Sequence, residues 1–150
     1  MKTKVLMVCL GNICRSPLAE GILRSKVDQT SILVDSAGTA GYHIGNPPDK
    51  RSILVAQKHG INISHQRSRQ FSTSDFKDFD LIFAMDTSNF RNILRLATST
   101  DDEKKVKLLL DEVDLDTNEV PDPYYGGTEG FERVYEMLDK ACEAVAKKLN

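Results

Sequence analysis

Cysteine, the residue on which small secreted domains and structural zinc sites depend, is scarce in this sequence. The 150 residues contain three cysteines, Cys9, Cys14 and Cys142. Three are too few for a disulfide framework, and they lack the two closely spaced pairs that hold zinc. We therefore expect a reduced, cytoplasmic protein with no bound metal and no cofactor.

Long apolar runs and a strong excess of charge are also missing. The apolar run that follows Met1-Lys2-Thr3-Lys4 ends at Gly11, after about six residues and without the small-residue cleavage site of a secretion signal. No segment approaches the ~20 apolar residues that span a membrane. The formal net charge is −2, so there is no basic field to attract nucleic acid. We expect neither membrane nor nucleic acid as a partner.

No linker, internal repeat or low-complexity tract divides the chain, and residues 1–150 are predicted to form one domain. Apolar runs predict strands over 4–9, 31–36, 80–85 and 106–110, and helices are predicted over 17–27, 48–59 and 87–96. Ser72-Thr73-Ser74-Asp75 has the form of a capping box before a short helical turn. A last helix has its apolar side chains on one face: Phe131, Val134, Tyr135, Leu138, Ala141, Cys142, Val145 and Leu149.

This alternation of strands and helices predicts an α/β fold. We expect a four-stranded parallel sheet with helices on both faces, doubly wound like Rossmann and flavodoxin-like domains. Ligands in such folds bind beyond the carboxyl ends of the strands. Cys9 lies at the end of the first predicted strand, and the chemistry is expected there.

The first strand and first helix are joined by the stretch Cys9-Leu10-Gly11-Asn12-Ile13-Cys14-Arg15-Ser16-Pro17. Ser16 is predicted to be the N-cap of the helix and Pro17 its first residue. A tight loop at a helix N-terminus is an anion site, because its N–H groups point inward and the helix dipole favours negative charge. The residues predicted to bind phosphate are Leu10, Gly11, Asn12, Ile13, Cys14, Arg15 and Ser16.

A cysteine opens this loop and an arginine closes it. A helix N-terminus and a nearby cation both favour the thiolate form of a cysteine, and the thiolate is the nucleophile. Arg15 offers a planar fork that binds two phosphate oxygens, which a lysine does not. Considered alone, Cys9 is more often a buried core residue; the whole constellation points to covalent phosphoryl transfer.

The stretch around Cys9 resembles the phosphate-binding loop of the low-molecular-weight protein tyrosine phosphatases. Other segments resemble that family in order and spacing, and the similarity spans nearly the whole chain: Asp35-Ser36-Ala37-Gly38-Thr39, Gly45-Asn46-Pro47-Pro48-Asp49, Ala84-Met85-Asp86 and Asp122-Pro123-Tyr124-Tyr125. The resemblance implies hydrolysis of phosphotyrosine through a phosphocysteine on Cys9, with release of inorganic phosphate. It implies a phosphotyrosine-containing protein or peptide as partner, a tyrosine kinase being one such protein.

Asp122 is assigned by the resemblance as general acid in the first step and general base in the second. Read without the resemblance, the Asp-Pro pair is ordinary turn chemistry. Displacing a phenolate, whose phenol has a pKa of about 10, needs a positioned proton donor. The resemblance also implies that Tyr42 and Tyr124, with Tyr125 beside them, wall a slot deep enough for phosphotyrosine and too deep for phosphoserine.

The resemblance places three residues, Ser16, Ser36 and His65, where the family hydrogen-bonds the phosphate loop, and Asn12 suits a left-handed turn within it. For His65, a plain surface histidine is the alternative, and His43 and His59 are interpreted as structural. Two roles are left open for Asp86, an anchor for the following helix or a contact at the rim of the site. Cys14 either forms a protective disulfide with Cys9, as the resemblance implies, or fills space in the loop.

Two other functions compete with the phosphatase. An arsenate reductase of the same architecture also begins with a Cys-x5-Arg loop, but it needs further redox cysteines after the third strand, and residues 86–101 contain none. A phosphocarrier or non-hydrolytic phosphate-binding module should preserve its phosphocysteine. In such a module a proton donor such as Asp122 would be counterproductive.

Overall fold

Four parallel strands form the centre of the molecule in a computed structural model that describes residues 2–150. They are β1 (Thr3–Cys9), β2 (Ile32–Gly38), β3 (Leu81–Ala84) and β4 (Val106–Leu108). Their order in the sheet is β2-β1-β3-β4, and every pairing is parallel. The predicted parallel α/β sheet is confirmed.

The apolar run of β1 is continuous because helices cover both faces of the sheet. Val5 and Met7 pack into one core cluster, whereas Leu6 and Val8 pack into the other. All four side chains are fully buried. β1 is therefore a central strand, and its end lies within the molecule.

Over residues 2–150, six helices surround the sheet: α1 (Arg15–Lys26), α2 (Lys50–Lys58), α3 (Asp75–Asp78), α4 (Thr87–Leu94), α5 (Thr100–Lys105) and α6 (Thr128–Leu149). A 3-10 turn, Leu109–Glu112, follows β4. The core cluster on one face takes side chains from α1, α2 and α6, and the cluster on the other face takes them from α3 and α4. The predicted apolar face of the last helix, Cys142 included, lies in the first cluster.

Helix α1 begins two residues earlier than predicted. Its first residue is Arg15 and its N-cap position is Cys14, so the assignment of Ser16 as N-cap is wrong. The Ser16 hydroxyl instead lies 3.0 Å from the Cys9 sulfur. The helix start therefore brings Arg15 itself into the first turn.

Two further local differences concern the predicted capping box and a helix that the sequence pattern does not predict. The Asp75 carboxylate accepts a hydrogen bond from the Ser72 N–H, as a capping box requires, but the Ser72 hydroxyl pairs with that of Ser74. Helix α5 was not predicted, since none of its side chains is buried and it has no apolar face. Its signal is electrostatic: a cap at Ser99, acidic residues in the first turn and lysines in the last.

The carboxyl ends of the two central strands meet at one edge of the sheet. Cys9 ends β1, and Asp86 begins α4 two residues after the end of β3. Among residues 2–150, no helix is both long enough and apolar enough to cross a lipid bilayer.

Candidate active site

The phosphate loop, residues 9–16, curls tightly between β1 and α1. Asn12 has a positive φ of 55°, in the left-handed region that asparagine tolerates. The end of β2 presses against the loop at Gly38, where a Cβ atom would lie 2.7 Å from the Leu10 carbonyl oxygen. The loop carbonyls of Cys9 and Leu10 accept hydrogen bonds from the N–H groups of residues 39 and 40. This packing fixes the backbone of the loop against the sheet.

The Asn12 side chain organises the interior of the loop. Its Oδ1 accepts a hydrogen bond from the Arg69 N–H at 3.0 Å. Because a backbone N–H only donates, this contact fixes the orientation of the amide. Its Nδ2 must then donate, and it does so to the hydroxyls of Ser16 and Ser36 at 2.7 and 3.0 Å.

The direction of these bonds determines where the Ser16 proton goes. Since Ser16 accepts from Asn12, its own O–H is free to donate. The Cys9 sulfur lies 3.0 Å away, whereas the other acceptor, the Ala37 carbonyl oxygen, lies at 3.5 Å, beyond a normal O–H···O bond. The hydroxyl is therefore aimed at the sulfur, where it stabilises a negative charge.

On the other side of Asn12, Ser36 donates to Glu20 Oε1 at 2.7 Å. Glu20 is buried in helix α1. Burial raises the pKa of this carboxyl, against the opposing effect of the Ser36 hydrogen bond. Sequence reasoning missed Glu20, since a glutamate in a helix offers no local sign that it faces inward.

His65 does not reach the loop. It is exposed and lines a surface hollow beside α1, and within residues 2–150 the loop is contacted by its neighbours instead. Ser68 donates to the Gly11 carbonyl at 3.1 Å, and Gln66 donates to the Pro17 carbonyl at 3.1 Å. The assignment of His65 to loop support is corrected in favour of Ser68 and the Arg69 backbone.

Arg15 is almost fully buried, and its guanidinium is tied from behind. Nη1 donates to Asp86 Oδ2 at 2.6 Å and to the Val120 carbonyl at 2.9 Å. Burial alone would lower the pKa of Arg15, but Cys9 and Asp86 outweigh it, and the pKa is raised. The cation is thus held rigidly in place beside Cys9.

Asp86 anchors the following helix, one of the two roles left open for it, and it holds Arg15 from behind the floor of the site and not from its rim. Its Oδ1 accepts the Asn89 N–H at 2.8 Å and caps helix α4, while Oδ2 holds Arg15. One carboxylate therefore joins a helix on the far face of the sheet to the anion site.

A cleft opens above the loop. It is lined by Cys9, Leu10, Gly11, Ile13, Cys14, Arg15, Tyr42, His43, Asp122, Tyr124 and Tyr125. The structure thus brings the three predicted catalytic residues and the three predicted wall tyrosines to one cavity. Ser16 and Ser36 lie beneath it in the hydrogen-bond network.

The wall of the cleft is far more open than its floor. The Asp122 side chain is 37% exposed, its Oδ2 lies 3.8 Å from Arg15 Nη2, and its Oδ1 accepts the Tyr124 N–H at 3.0 Å. Tyr42 and Tyr125 are 75% and 92% exposed, so they form a rim that a substrate would cover.

His43 was interpreted as structural, but it lies in the cleft. Its ring lies 6.4 Å from that of Tyr42 and 6.3 Å from that of Tyr124, between the two tyrosines. The ring also contacts the floor, since a Cβ atom on Gly11 would lie 3.0 Å from His43 Cδ2. With Tyr125, whose ring lies 5.0 Å from that of Tyr124, the aromatic wall therefore has four members.

Cys14 shares the loop with Cys9 but has a different environment. Burial, together with the nearby charge of Asp49, raises the pKa of the Cys14 thiol to about 12. Its carbonyl accepts the Ser52 hydroxyl at 3.2 Å, and all three cysteines are unpaired. Residues 2–150 contain no group of His, Cys, Asp and Glu side chains arranged to hold a metal ion.

Comparisons with known proteins agree with this geometry. A family model described as low molecular weight phosphotyrosine protein phosphatase matches residues 4–150. A Schizosaccharomyces pombe protein of the same description is 46% identical over 141 residues, covering 90% of this chain and 89% of the relative. A human one is 44% identical over 149 residues, covering 96% and 94%.

Solved structures match equally well over their length. A protein tyrosine phosphatase from Entamoeba histolytica, crystallised with Hepes in its active site, superimposes with a TM-score of 0.93 at 41% identity, covering 99% of this chain and 97% of that one. YfkJ from Bacillus subtilis gives a TM-score of 0.91 at 40% identity, covering 99% and 94%.

Proposed function

The chain belongs to the low molecular weight phosphotyrosine protein phosphatase family, and from that premise we propose how its own residues divide the work of hydrolysing phosphotyrosine. The observation that carries the proposal is the Ser16 hydroxyl, directed onto the Cys9 sulfur from a network whose polarity is set by Asn12 and a backbone N–H. A thiolate at this position faces the cleft beside a buried guanidinium.

In the first step, the Cys9 thiolate attacks the phosphorus of a phosphotyrosine whose oxygens are bound by the loop N–H groups and by Arg15. The S–P bond forms and the P–O bond to the phenol breaks. Asp122, protonated, gives its proton to the departing phenolate oxygen. The negative charge of the transferring group stays among fixed donors throughout, and this is where such a site gains most of its rate.

In the second step, the Asp122 carboxylate takes a proton from a water molecule, which attacks the phosphocysteine. Inorganic phosphate leaves and the Cys9 thiolate is restored. The partial exposure of Asp122 supports this dual use, since water reaches its carboxylate from the open side of the cleft. Its distance of 3.8 Å from Arg15, the residue proposed to bind phosphate, also supports this role.

The substrate we propose is a protein carrying phosphotyrosine, tyrosine kinases included. The rings of Tyr42, His43 and Tyr124 would flank the phenyl ring of the substrate and leave its phosphate at the floor. Phosphoserine is too short to place its phosphorus at the Cys9 sulfur while its backbone remains at the rim. Tyr125, the most exposed of the four tyrosines, would contact the peptide beyond the ring.

We propose in addition that Cys14 protects Cys9 from peroxide in a reduced, cytoplasmic setting. Peroxide would oxidise the Cys9 thiolate to a sulfenic acid and leave as water. The Cys14 thiol would then displace hydroxide to give a disulfide, which cellular thiols reduce. The raised pKa of Cys14 makes this second step slow, because little of the attacking thiolate is present at neutral pH.

The test compares phosphotyrosine, phosphoserine and phosphothreonine peptides, with rapid acid quenching and mass spectrometry of the Cys9 peptide. We expect hydrolysis of the phosphotyrosine peptide alone and a phosphate-sized mass increment on Cys9 during turnover. Thiol-dependent reduction of arsenate without phosphatase activity would instead assign the chain to the arsenate reductases. A stable phosphocysteine that never turns over would make it a phosphocarrier.

A further inference from the structure

Arg51, in the first turn of α2, binds the carboxylate beside it in an unusually complete way. Its Nε and Nη2 donate to the two oxygens of Asp49, both at 3.0 Å. The Asp49 Oδ1 also accepts the Arg51 N–H at 2.9 Å and caps the helix. Burial would raise the pKa of Asp49, but the hydrogen bonds from Arg51 lower it, so the pair stays charged around neutral pH.

The same guanidinium reaches across to the segment that carries Asp122. Nη2 donates to the Tyr124 carbonyl and Nη1 to the Gly126 carbonyl, both at 2.9 Å. The guanidinium carbon lies 4.5 Å from the centroid of the Phe131 ring. Four of the five N–H donors of Arg51 are thus engaged, in an arrangement that a lysine cannot reproduce.

This segment, residues 121–127, has little other support. Apart from Pro123, its residues are exposed. Within the part of the chain that the structure describes, the hydrogen bonds between the backbone of residues 121–126 and any earlier element are the two donated by Arg51. On the N-terminal side of Asp122, Val120 is held by Met85 and by Arg15, and the Asp122 carboxylate itself lies 3.8 Å from Arg15. On its C-terminal side the backbone is held by Arg51, so the position of Asp122 above the floor depends in part on Arg51.

Helix α2, in turn, is fixed to the phosphate loop. The Asp49 N–H donates to the Ile13 carbonyl at 2.8 Å, and the Ser52 hydroxyl donates to the Cys14 carbonyl at 3.2 Å. A continuous path therefore runs from the loop through the start of α2 and the Arg51 guanidinium to the Asp122 segment.

We propose that Arg51 is a positioning residue that sets the place of Asp122 relative to Cys9. The inference rests on the proposed role of Asp122 as proton donor. Proton transfer needs the donor within hydrogen-bond reach of the leaving oxygen, and a displacement of about 1 Å at a reacting group can cost on the order of a hundredfold in rate. Arg51 touches neither phosphate nor leaving group. It acts through the segment that carries both Asp122 and Tyr124, and the part of its effect that passes through Asp122 is the part that depends on the leaving group.

The test uses Arg51→Ala, with Lys58→Ala as the matched control. Lys58 is a cation of the same helix and also contacts α6, through Glu132 at 3.6 Å. Phenyl phosphate, which needs a proton donor, is compared with p-nitrophenyl phosphate, which scarcely does. We expect Arg51→Ala to lower kcat/KM on phenyl phosphate by about ten- to a hundredfold. This ratio reports the first step, whereas kcat also contains the hydrolysis of the phosphocysteine, which is common to both substrates. On p-nitrophenyl phosphate we expect a loss below about threefold, and Lys58→Ala should match the wild type on both.

Two further measurements separate positioning from general damage. In Arg51→Ala, amide hydrogen exchange should accelerate in residues 121–127 and stay unchanged in β1 and α1. The Arg51→Ala/Asp122→Asn double variant should be no slower on phenyl phosphate than Asp122→Asn alone, since both changes remove one function. If Arg51→Ala does not fold, Arg51→Lys keeps a positive charge at this position and should show the same leaving-group pattern, more weakly.

If Arg51→Ala lowers kcat/KM equally on the two substrates, or has wild-type kinetics, the proposal is overturned. Fully additive losses in the double variant would also overturn it. The proposed function fails separately, when Asp122→Asn itself shows no dependence on the leaving group. In that case the proposed role of Arg51 is also excluded. If Asp122→Asn does show the expected dependence on the leaving group, a negative result for Arg51→Ala excludes only the role of Arg51.

Discussion

Two parts of the cleft differ in how far the rest of the chain satisfies their polar groups. One is the floor, residues 9–16, and the other is the wall segment that carries Asp122, residues 121–127. On the floor, Asn12, Arg15 and Ser16 are all buried, and their side chains are hydrogen-bonded by several elements. On the wall, Asp122 and Tyr125 face solvent, and the Arg51 side chain donates the hydrogen bonds that tie the backbone of this segment to α2.

This difference matches the demands of the two sites. An anion must be met by donors that are already in place, because reorganising dipoles during the reaction would cost rate. A wall that contacts phenyl rings and peptides of varied sequence benefits from freedom to adjust. We therefore expect floor substitutions to affect every substrate alike and wall substitutions to discriminate among substrates.

The largest effect is expected for Cys9→Ser, which removes the nucleophile. Turnover of every aryl phosphate should fall by at least about 10⁴-fold, as it does when other covalent enzymes lose their nucleophile. Phosphate and vanadate should still bind, because the loop N–H groups and Arg15 are unchanged. Calorimetry of anion binding alongside steady-state rates checks both points. Substantial residual turnover would exclude the covalent route.

Asp122→Asn should come next, and its effect should depend on the substrate. We expect a loss of about 10²-fold or more on phenyl phosphate, the usual contribution of a general acid. The loss should be much smaller on p-nitrophenyl phosphate, whose leaving group needs little protonation. A plot of log kcat/KM against leaving-group pKa, which reports the first step and should be steeper in the variant, checks this prediction. Parallel plots would remove Asp122 from the acid role.

Asn12→Ala tests the floor without touching the reacting atoms. The change leaves the Arg69 N–H unpartnered and removes the donor that aligns Ser16 and Ser36. Alanine also tolerates the φ of 55° poorly. Together these losses should cost about 2–4 kcal/mol of stability and about tenfold in kcat, equally on all substrates. Chemical denaturation and kinetics, with the exposed Asn62→Ala as control, measure the two effects.

Tyr42→Ala should have a modest, substrate-selective effect. Tyr42 is exposed in the free protein, so its removal should not alter stability. Loss of ring contact, worth on the order of 1 kcal/mol, should raise KM for a phosphotyrosine peptide about three- to tenfold. The kcat should change little. An equal loss on small alkyl phosphates, which have no ring to contact, would argue against Tyr42 as a wall.

Cys14→Ala should change turnover least, by less than about twofold, since the phosphate binding predicted for Cys14 uses its backbone N–H, which alanine keeps. With a pKa of about 12, Cys14 holds its proton at neutral pH. At pH 7, iodoacetamide should therefore alkylate Cys9 well before Cys14, and bound phosphate should protect Cys9. Because the folded protein binds the Cys14 proton more tightly than the unfolded chain does, this thiol adds to the free energy of unfolding. That contribution is complete below the ordinary cysteine pKa of about 8.5 and is lost as pH rises toward 12. Mass spectrometry of the two peptides across pH reports the order.

Sequence reasoning succeeded where a pattern is local. Strand β1, the loop and the start of α1 form one continuous stretch in which apolar burial, turn and helix signals agree. The resemblance correctly predicted that Tyr42, Asp122 and Tyr124 lie in the cleft, because their order along the chain matches that of the family. Helix α5 escaped because its six residues have no apolar face.

What the sequence could not reveal is the support of the site across long chain separations. Ser68 and the Arg69 N–H reach the loop from 57 residues away, where nothing in their own neighbourhood indicates it. His65 was assigned by its position in the resemblance, but a hydroxyl and a backbone donor a few residues further along the chain make the contacts. Glu20 and Arg51 were likewise invisible, since partners in three dimensions decide which way a charged side chain turns.

The Asp86 carboxylate couples two parts of the molecule that share no cleft. One oxygen caps α4 and the other holds Arg15. The position of α4, together with the Val120 carbonyl, therefore fixes the position of the guanidinium. A translation or rotation of α4 on the opposite face of the sheet would move Asp86 and, through it, the Arg15 guanidinium at the anion site. Insertions between β3 and α4 should therefore impair phosphate capture, whereas insertions after α4 should leave it intact.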